Sequence, residues 1–254
     1  MIVIPMAGAS SRFTQAGYTR PKYELMLDGR TVFAHAVDSF STYFADTPFL
    51  FIVGAAPGAT DFVRAACRAL GVNDTRVVAL DRVTAGQAET VEQGLIGARV
   101  GDDASLSIFN IDTFRPGFRF PDRDWTKGSD GWLEVFPGSG ANWSYVRPAN
   151  GPEPIALETA EKQPISDLCC TGLYHFARAA DFTWALARER IAPQAKELYV
   201  APLYNHLIGA GKRIHYRLIG RDEVVFCGTP EEYVELGGAA PKTPFPARGK
   251  GKSA

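Results

Sequence analysis

The sequence contains little cysteine, and the spacing of its cysteines matches neither a metal site nor a disulfide framework. Only four of the 254 residues are cysteine: Cys67, Cys169, Cys170 and Cys227. Two of them are adjacent and none forms a Cys-x-x-Cys pair, so neither a structural zinc site nor a disulfide scaffold is expected. Reduced thiols of this kind favour a cytoplasmic location.

A strong net charge and long apolar runs are also absent. Lys and Arg number 27 and Asp and Glu 28, a formal net charge of -1, which argues against binding nucleic acid or an anionic membrane through bulk charge. No apolar run approaches the roughly 20 residues needed to span a bilayer. Met1–Met6 lacks a basic flank and is predicted to be a strand rather than a signal peptide. The four histidines show no ligand spacing.

The first half of the chain alternates between strand and helix patterns. Strands are predicted at 1–6, 49–53, 76–80 and 106–111, and helices at 31–44, 61–70 and 87–100. This order predicts an α/β, Rossmann-like fold with a mainly parallel central sheet and helices on both faces. In such a sheet, ligands bind beyond the carboxyl ends of the strands.

The second half has a different pattern. Short strands predicted at 132–136, 143–146, 155–162 and 171–176 indicate an antiparallel insertion. Helices at 180–190 and 197–209, a strand at 213–218 and a helix from Pro230 follow. The length fits one domain over residues 1–240, with 241–254 as a disordered tail.

The segment 7–22 contains many small and basic residues and is predicted to be a long loop. Small residues expose backbone N–H groups that can surround an oligophosphate, to which basic side chains add charge. The candidates for nucleotide binding are Ala7, Gly8, Ser10 and Ser11, with Arg12 and Lys22 as the cations. The alternative is a solvated connection whose basic residues point to water.

The opening Ile4–Phe13, followed by Pro21-Lys22, resembles the signature of the sugar-nucleotide pyrophosphorylase family of nucleotidyltransferases, whose fold is similar to that of A-type glycosyltransferases. The run 2–25 further resembles short nucleotidyltransferases of bacterial capsule clusters, one branch of which activates phosphoglutamine. The resemblance covers most of residues 1–236. It implies transfer of NMP from CTP, UTP or dTTP to a sugar phosphate or a related small phosphate, with release of pyrophosphate, for a capsule or surface polysaccharide precursor.

The resemblance also implies roles for residues in the first half. Thr84–Thr90 lies where the family places its base-recognising loop, which makes Gly86 and Gln87 nucleobase contacts. The alternative is an ordinary helix start capped by Thr84. Asp112 ends the fourth strand, where the family keeps a metal-binding aspartate, so it is expected to hold Mg²⁺. The alternative is a turn cap before Pro116.

The acceptor site is expected in the second half. Glu161-Lys162, followed by Gly172 and Tyr174, resembles the family's wall for the acceptor phosphate, and a surface ion pair is the alternative. The expected catalytic residues are Arg12, Lys22, Asp112 and Lys162. No general base is required, because a phosphate monoester is already largely dianionic near neutral pH.

One position departs from the family pattern. Many relatives carry a second metal-binding aspartate where this chain has Phe226. Three readings stay open: Asp112 holds Mg²⁺ with the triphosphate and water, Asp222 or Glu223 substitutes, or activity is lost. The rival functions are an A-type glycosyltransferase and a non-catalytic nucleotide-binding protein. An NAD-dependent enzyme is discarded because GxGxxG is missing. An oligomer is compatible with the sequence.

Overall fold

The structure, a computed structural model, describes residues 1–8 and 10–241. It has a nine-stranded sheet with two small two-stranded ladders beside it. Apart from Pro241, the tail predicted to be disordered lies outside the described residues. Within the described part of the chain, no helix is both long enough and apolar enough to cross a membrane.

The first half contributes four parallel strands to the main sheet. Its elements are β1 (Ile2–Met6), α1 (Ser11–Gln15), β2 (Met26–Leu27), β3 (Arg30–Thr31), α2 (Val32–Asp38), β4 (Phe49–Val53), α3 (Ala59–Leu70), β5 (Thr75–Ala79), α4 (Gln87–Gly97) and β6 (Leu106–Phe109). β1 lies between β4 and β6, and β5 pairs with the far side of β4, all in parallel. The βαβ order predicted for this half is confirmed.

The second half extends the same sheet. Its elements are β7 (Thr113–Phe114), α5 (Arg123–Thr126), β8 (Gly131–Pro137), β9 (Ser144–Pro148), β10 (Ala156–Glu161), β11 (Leu168–Phe176), α6 (Ala179–Ile191), α7 (Leu203–Gly209), β12 (Ile214–Leu218), β13 (Val225–Phe226) and α8 (Pro230–Glu235). In the order β12-β8-β11-β6-β1-β4-β5, only β11 runs opposite to the rest. The antiparallel pair β9 and β10 joins the first part of β11. The mainly parallel sheet is therefore confirmed.

The core lies on both faces of this sheet. Ile2 and Ile4 of β1 belong to the cluster beneath α2 and α3, whereas Val3 belongs to the cluster beneath α4, α6 and α7. On the first face, Phe33 of α2 lies 5.3 Å from Phe51 of β4, measured between ring centres. Alternate residues of a strand point to opposite faces of the sheet. Because helices cover both faces, these strands are apolar throughout.

Several segments differ from the sequence prediction. The helix predicted at 31–44 ends at Asp38, and a separate 3₁₀ turn covers Ser41–Tyr43. The predicted loop 7–22 contains the helix α1, which forms because Phe13 is buried and its ring contacts those of Tyr18 and Tyr233 at 5.4 and 6.2 Å. The helix predicted from residue 197 begins only at Leu203. Pro202 directly before it has no N–H to donate, so it suits a helix start and not a helix interior.

A buried ion pair fixes the segment that follows β6. Arg115 Nε lies 2.7 Å from Glu134 Oε1, and both side chains are almost completely buried. Glu134 also accepts a hydrogen bond from Thr171 Oγ1 at 3.3 Å, and the Thr171 carbonyl accepts one from Thr113 Oγ1 at 3.1 Å. These bonds tie β7, β8 and β11 together immediately after Asp112.

His175 makes the stability of the fold sensitive to acid. Burial, helped by the nearby N-terminal ammonium group, lowers its pKa from 6.5 to about 4, and its ring stacks on Trp132 at 5.2 Å. Because the unfolded chain binds this proton more tightly, stability is retained above pH 6.5 and lost as the pH falls towards 4. We expect a loss of about 3 kcal/mol between pH 7 and pH 4 from this residue alone.

Urea unfolding of the wild type and a His175→Asn variant at several pH values measures this loss. The free-energy difference between the two proteins should shrink steadily between pH 6.5 and pH 4, because the variant has no imidazole to protonate. Parallel stability curves over this range would show that His175 is not the responsible group.

Candidate active site

A cavity of about 650 Å³ opens at the carboxyl ends of β1 and β6. That volume lies within the usual range for small-molecule sites. Twelve residues singled out from the sequence line it: Ala7, Gly8, Ser11, Arg12, Lys22, Gly86, Gln87, Asp112, Glu161, Lys162, Gly172 and Tyr174. Ser10 is not among the lining residues. It precedes α1 with a positive φ of 48°, and its carbonyl accepts the Thr14 N–H.

Two loops meet at one end of the cavity through an ion pair. Lys22 begins a 3₁₀ turn after Pro21, and its Nζ donates to Asp112 Oδ2. The Asp112 carbonyl accepts the Cys227 N–H at 2.8 Å. Burial, together with the Asp112 charge, raises the pKa of Cys227 to about 12, so its thiol remains protonated. The exposed Arg12 adds a second cation to this end.

The loop 84–87 forms a second wall, which the backbone of Leu198 supports. Gly86 has φ 154°, and a Cβ there would lie 2.6 Å from both the Leu198 nitrogen and oxygen, so glycine is required at this position. Thr84 was considered from the sequence as the cap of α4. Its hydroxyl instead forms a hydrogen bond with Thr90 Oγ1 at 2.6 Å. Gly86 is the residue that directly precedes the helix.

Gln87 and Asn110 form a polar pair in this wall. Gln87 Nε2 donates to Asn110 Oδ1 at 2.6 Å. Asn110 in turn lies against Gly172, where a Cβ would be 2.4 Å from Asn110 Nδ2. Gly172 therefore permits the close approach of β11 to the end of β6. The pair presents amide groups to the cavity, and amides can both donate to and accept from a nucleobase edge.

Glu161 ends β10, Lys162 follows it, and both line the cavity. Lys162 Nζ donates to Tyr199 Oη at 2.5 Å and lies 3.7 Å from Glu161 Oε1. Burial lowers the pKa of Lys162, but the Tyr199 hydrogen bond and the charges of Glu161 and Glu197 outweigh it, so the net pKa is raised. Burial also raises the pKa of Glu161, although the hydrogen bond that the Ser144 hydroxyl donates to it lowers that pKa. Lys162 therefore stays cationic.

The sequence analysis did not identify two cavity residues near Lys162. Tyr199 and Glu197 line the cavity, and Tyr199 Oη lies 3.1 Å from Glu197 Oε1. Both lie in the segment that was predicted to be helical, which is why they were not recognised. Tyr174, singled out from sequence, is buried, and burial holds its pKa well above the usual value, so its hydroxyl stays neutral.

Phe226 lines the cavity beside Asp112 and carries no charge. Its ring packs 4.5 Å from Trp143 and 5.1 Å from Phe136. Asp222 and Glu223, considered as replacement carboxylates, do not line the cavity. Glu223 instead lies 3.6 Å from Arg115.

A carboxylate that was not singled out from the sequence faces the same region. Glu232 accepts the N–H groups of Gly228 and Thr229 at 2.8 and 3.0 Å. A Cβ at Gly228 would lie 3.2 Å from Asp112 Oδ2 and 3.6 Å from Glu232 Oε2, so both carboxylates border one small space. The sequence signal was the capping box Thr229-x-x-Glu232 at the start of α8.

The fold is that of nucleotidyltransferases. A UDP-glucose pyrophosphorylase complexed with UDP-glucose matches with a TM-score of 0.72 and 15% identity, over 92% of this chain and 96% of that one. The inositol-1-phosphate CTP transferase from T. maritima matches with a TM-score of 0.69 and 14% identity, over 92% and 93%. At these identities the likeness shows the fold alone.

A nearer relative defines the family. The nucleoside-diphosphate-sugar pyrophosphorylase from Vibrio cholerae RC9 is 51% identical, with a TM-score of 0.87 over 93% of this chain and 99% of that one. No family model and no curated protein matches. The chain belongs to the nucleoside-diphosphate-sugar pyrophosphorylase family and is a nucleotidyltransferase. The resemblance found in the sequence is therefore confirmed.

Proposed function

We propose that this enzyme transfers the NMP part of CTP, UTP or dTTP to a phosphorylated small molecule, a sugar phosphate or a related small phosphate. The observation that carries the proposal is that Arg12, Lys22 and Lys162 line one cavity with the carboxylate of Asp112, beside three glutamates. The reaction has to bring two polyanions together, which requires positive charge at both ends of the site. In the cavity, Lys22 pairs with Asp112 and Lys162 with Tyr199, so cationic groups lie at two places in its wall.

In the proposed reaction, an oxygen of the acceptor phosphate forms a bond to the α-phosphorus. The bond from that phosphorus to the oxygen bridging to the β-phosphate breaks, and pyrophosphate leaves with the electron pair. Arg12 and Lys22 bind the triphosphate, and Lys162 orients the acceptor. Ala7, Gly8 and Ser11 line the triphosphate side, and no side chain needs to remove a proton.

The residues fit a magnesium ion held mainly by substrate. Among the described residues no group of three or more histidine, cysteine, aspartate or glutamate side chains could hold a metal ion, which argues against a site made of protein ligands alone. Mg²⁺ often uses one or two carboxylates together with phosphates and water, and Asp112 supplies such a carboxylate. When bound, the ion would offset charge on the phosphates during transfer.

The biological setting follows from the substrates. Nucleoside triphosphates are made in the cytoplasm, and all four cysteines are buried and unpaired, as suits a reducing compartment. The products of such a reaction are activated precursors. Because residues 2–25 resemble nucleotidyltransferases of bacterial capsule clusters, we propose a role in the cytoplasmic synthesis of a capsule or surface polysaccharide precursor.

Pyrophosphate release by the purified protein tests the function directly. CTP, UTP, dTTP and ATP are each offered with Mg²⁺ and a pool of sugar phosphates and phosphorylated amino acid derivatives. We expect release that requires both one NTP and one acceptor. An A-type glycosyltransferase would instead consume a preformed nucleotide sugar and release no pyrophosphate from any NTP.

Replacing Lys162 tests the acceptor end. A Lys162→Gln variant is expected to raise the KM for the acceptor about tenfold or more, because a hydrogen bond to a charged phosphate contributes about 1.5–3 kcal/mol. The KM for the NTP should change little. Lys196→Gln is the matched control, since Lys196 is exposed and does not line the cavity. An unchanged acceptor KM in the Lys162 variant would contradict the assignment.

A further inference from the structure

Lys162 has a backbone conformation that is uncommon for a lysine. It directly follows β10 with φ 57°, in the left-handed region that residues other than glycine rarely adopt. Its N–H donates to the Trp143 carbonyl at 2.9 Å, which fixes the backbone at the end of the strand. The side chain beyond it is long and flexible, so the position of its ammonium group depends on a side-chain contact.

Tyr199 provides that contact. Lys162 Nζ donates to Tyr199 Oη at 2.5 Å and lies 4.4 Å from the centre of the Tyr199 ring. An ammonium group can only donate, so the phenol oxygen accepts from Lys162 and donates its own proton to Glu197 Oε1, 3.1 Å away. Burial raises the pKa of Tyr199, so the phenol keeps that proton. Lys162, Tyr199 and Glu197 therefore form a hydrogen-bond chain with one direction.

Hydrogen bonds on both sides hold the backbone of Tyr199 in place. Leu198 forms two backbone hydrogen bonds with the loop 85–88, at 2.8 and 3.0 Å. The Ala201 carbonyl accepts a hydrogen bond from Thr159 Oγ1 at 2.7 Å, and this threonine belongs to β10, the strand that the lysine follows. The tyrosine therefore has a fixed place relative to the lysine.

The contact with Tyr199 leaves the lysine able to bind a phosphate. It uses only one of the N–H donors of the ammonium group. Glu161 Oε1 lies 3.7 Å from Lys162 Nζ, which is longer than a direct hydrogen bond. Lys162 and Tyr199 both line the cavity, so the remaining donors can meet an acceptor phosphate there.

We propose that Tyr199 is the positioning residue of Lys162, and that its phenol holds the ammonium group where the acceptor phosphate binds. The inference rests on the proposed function, because it takes Lys162 as the contact of that phosphate. Without the phenol oxygen, the ammonium group would occupy many positions, and acceptor binding would have to restrict them. Tyr199 acts through Lys162 and does not need to touch the acceptor.

A Tyr199→Phe variant keeps the ring and removes the hydroxyl. With the acceptor that the pyrophosphate assay identifies, we expect its KM to rise about fivefold, because binding must then order Lys162. The NTP KM and kcat should stay within about twofold, since the backbone of Leu198 still supports the nucleobase wall. Tyr43→Phe is the matched control. Its hydroxyl accepts the Phe120 N–H at 2.8 Å and it does not line the cavity, so its acceptor KM should not change.

Combining Tyr199→Phe with Lys162→Met separates a positioning role from a direct one. Methionine has no donor, so Lys162→Met alone should raise the acceptor KM, and removing the Tyr199 hydroxyl as well should raise it no further. Additive increases would show that Tyr199 binds the acceptor itself and would overturn the inference. An unchanged acceptor KM in Tyr199→Phe alone would overturn it too.

Acylation of lysines by acetic anhydride tests the contact without substrates. Peptide mass spectrometry gives the rate at Lys162 relative to the exposed Lys196. We expect this relative rate to be on the order of threefold higher in Tyr199→Phe than in the wild type, because losing the hydrogen bond favours the neutral amine. Equal relative rates would overturn the inference. Neither nucleotide nor acceptor is present, so this result is independent of whether pyrophosphate release supports the proposed function.

Discussion

An Asp112→Asn variant is expected to lose pyrophosphate-releasing turnover by on the order of a thousandfold. The amide has almost the same shape as the carboxylate but no charge, so it is a poor ligand for a hard cation. Charge stabilisation by a catalytic metal contributes several kcal/mol, and about 4 kcal/mol corresponds to three orders of magnitude in rate. The effect should appear mainly in kcat, since Arg12 and Lys22 remain to bind the triphosphate.

The fold should tolerate this substitution. The Asp112 backbone carbonyl keeps its hydrogen bond from Cys227, and the side chain lies at a cavity wall rather than in the core. Asp103→Asn is the matched control, because Asp103 forms an exposed ion pair with Arg178 and does not line the cavity. We expect the control to keep wild-type turnover. Wild-type turnover in Asp112→Asn as well would remove the metal assignment.

The parallel half of the fold could be predicted because its signals are local. The strand at 49–53 has the predicted bounds, and the helix after Thr31 begins as expected, with Thr31 Oγ1 accepting the Ala34 N–H. Continuous apolar runs and an N-cap are fixed by neighbouring residues, so sequence alone contains them. The helix α1 was missed because it depends on one buried residue, Phe13, whose ring contacts Tyr233 far away in sequence.

The sequence identified residues that share one cavity, but not the contacts between them. All but Ser10 of the expected binding and catalytic residues line one cavity, because the carboxyl ends of parallel strands meet at the same edge. The contact of Lys22 with Asp112 joins residues 90 positions apart, and no spacing rule reports it. In the sequence, Glu232 could be recognised only as a capping residue. Its approach to Asp112 depends on how α8 packs in the fold.

The buried ion pair leads to the second large effect, on stability. A Glu134→Leu variant is expected to lose about 3–5 kcal/mol of unfolding free energy, because the buried Arg115 guanidinium would lose its closest carboxylate and be left with Glu223, which is half exposed. Urea unfolding at neutral pH measures the change. Replacing both residues, as in Arg115→Met with Glu134→Leu, should recover part of the loss, since no unpaired charge then remains in the core.

Glu158→Leu provides the matched control for burial. Glu158 pairs with Arg147 at 2.7 Å, the same contact distance, but these side chains are 43% and 47% exposed. Exposed pairs contribute under about 1 kcal/mol, so the control should change little. Equal losses in the two variants would show that burial does not set the strength of the Arg115 pair. Because the Arg115–Glu134 pair also fixes the segment after Asp112, activity should fall together with stability in Glu134→Leu. Neither activity nor stability should fall in Glu158→Leu.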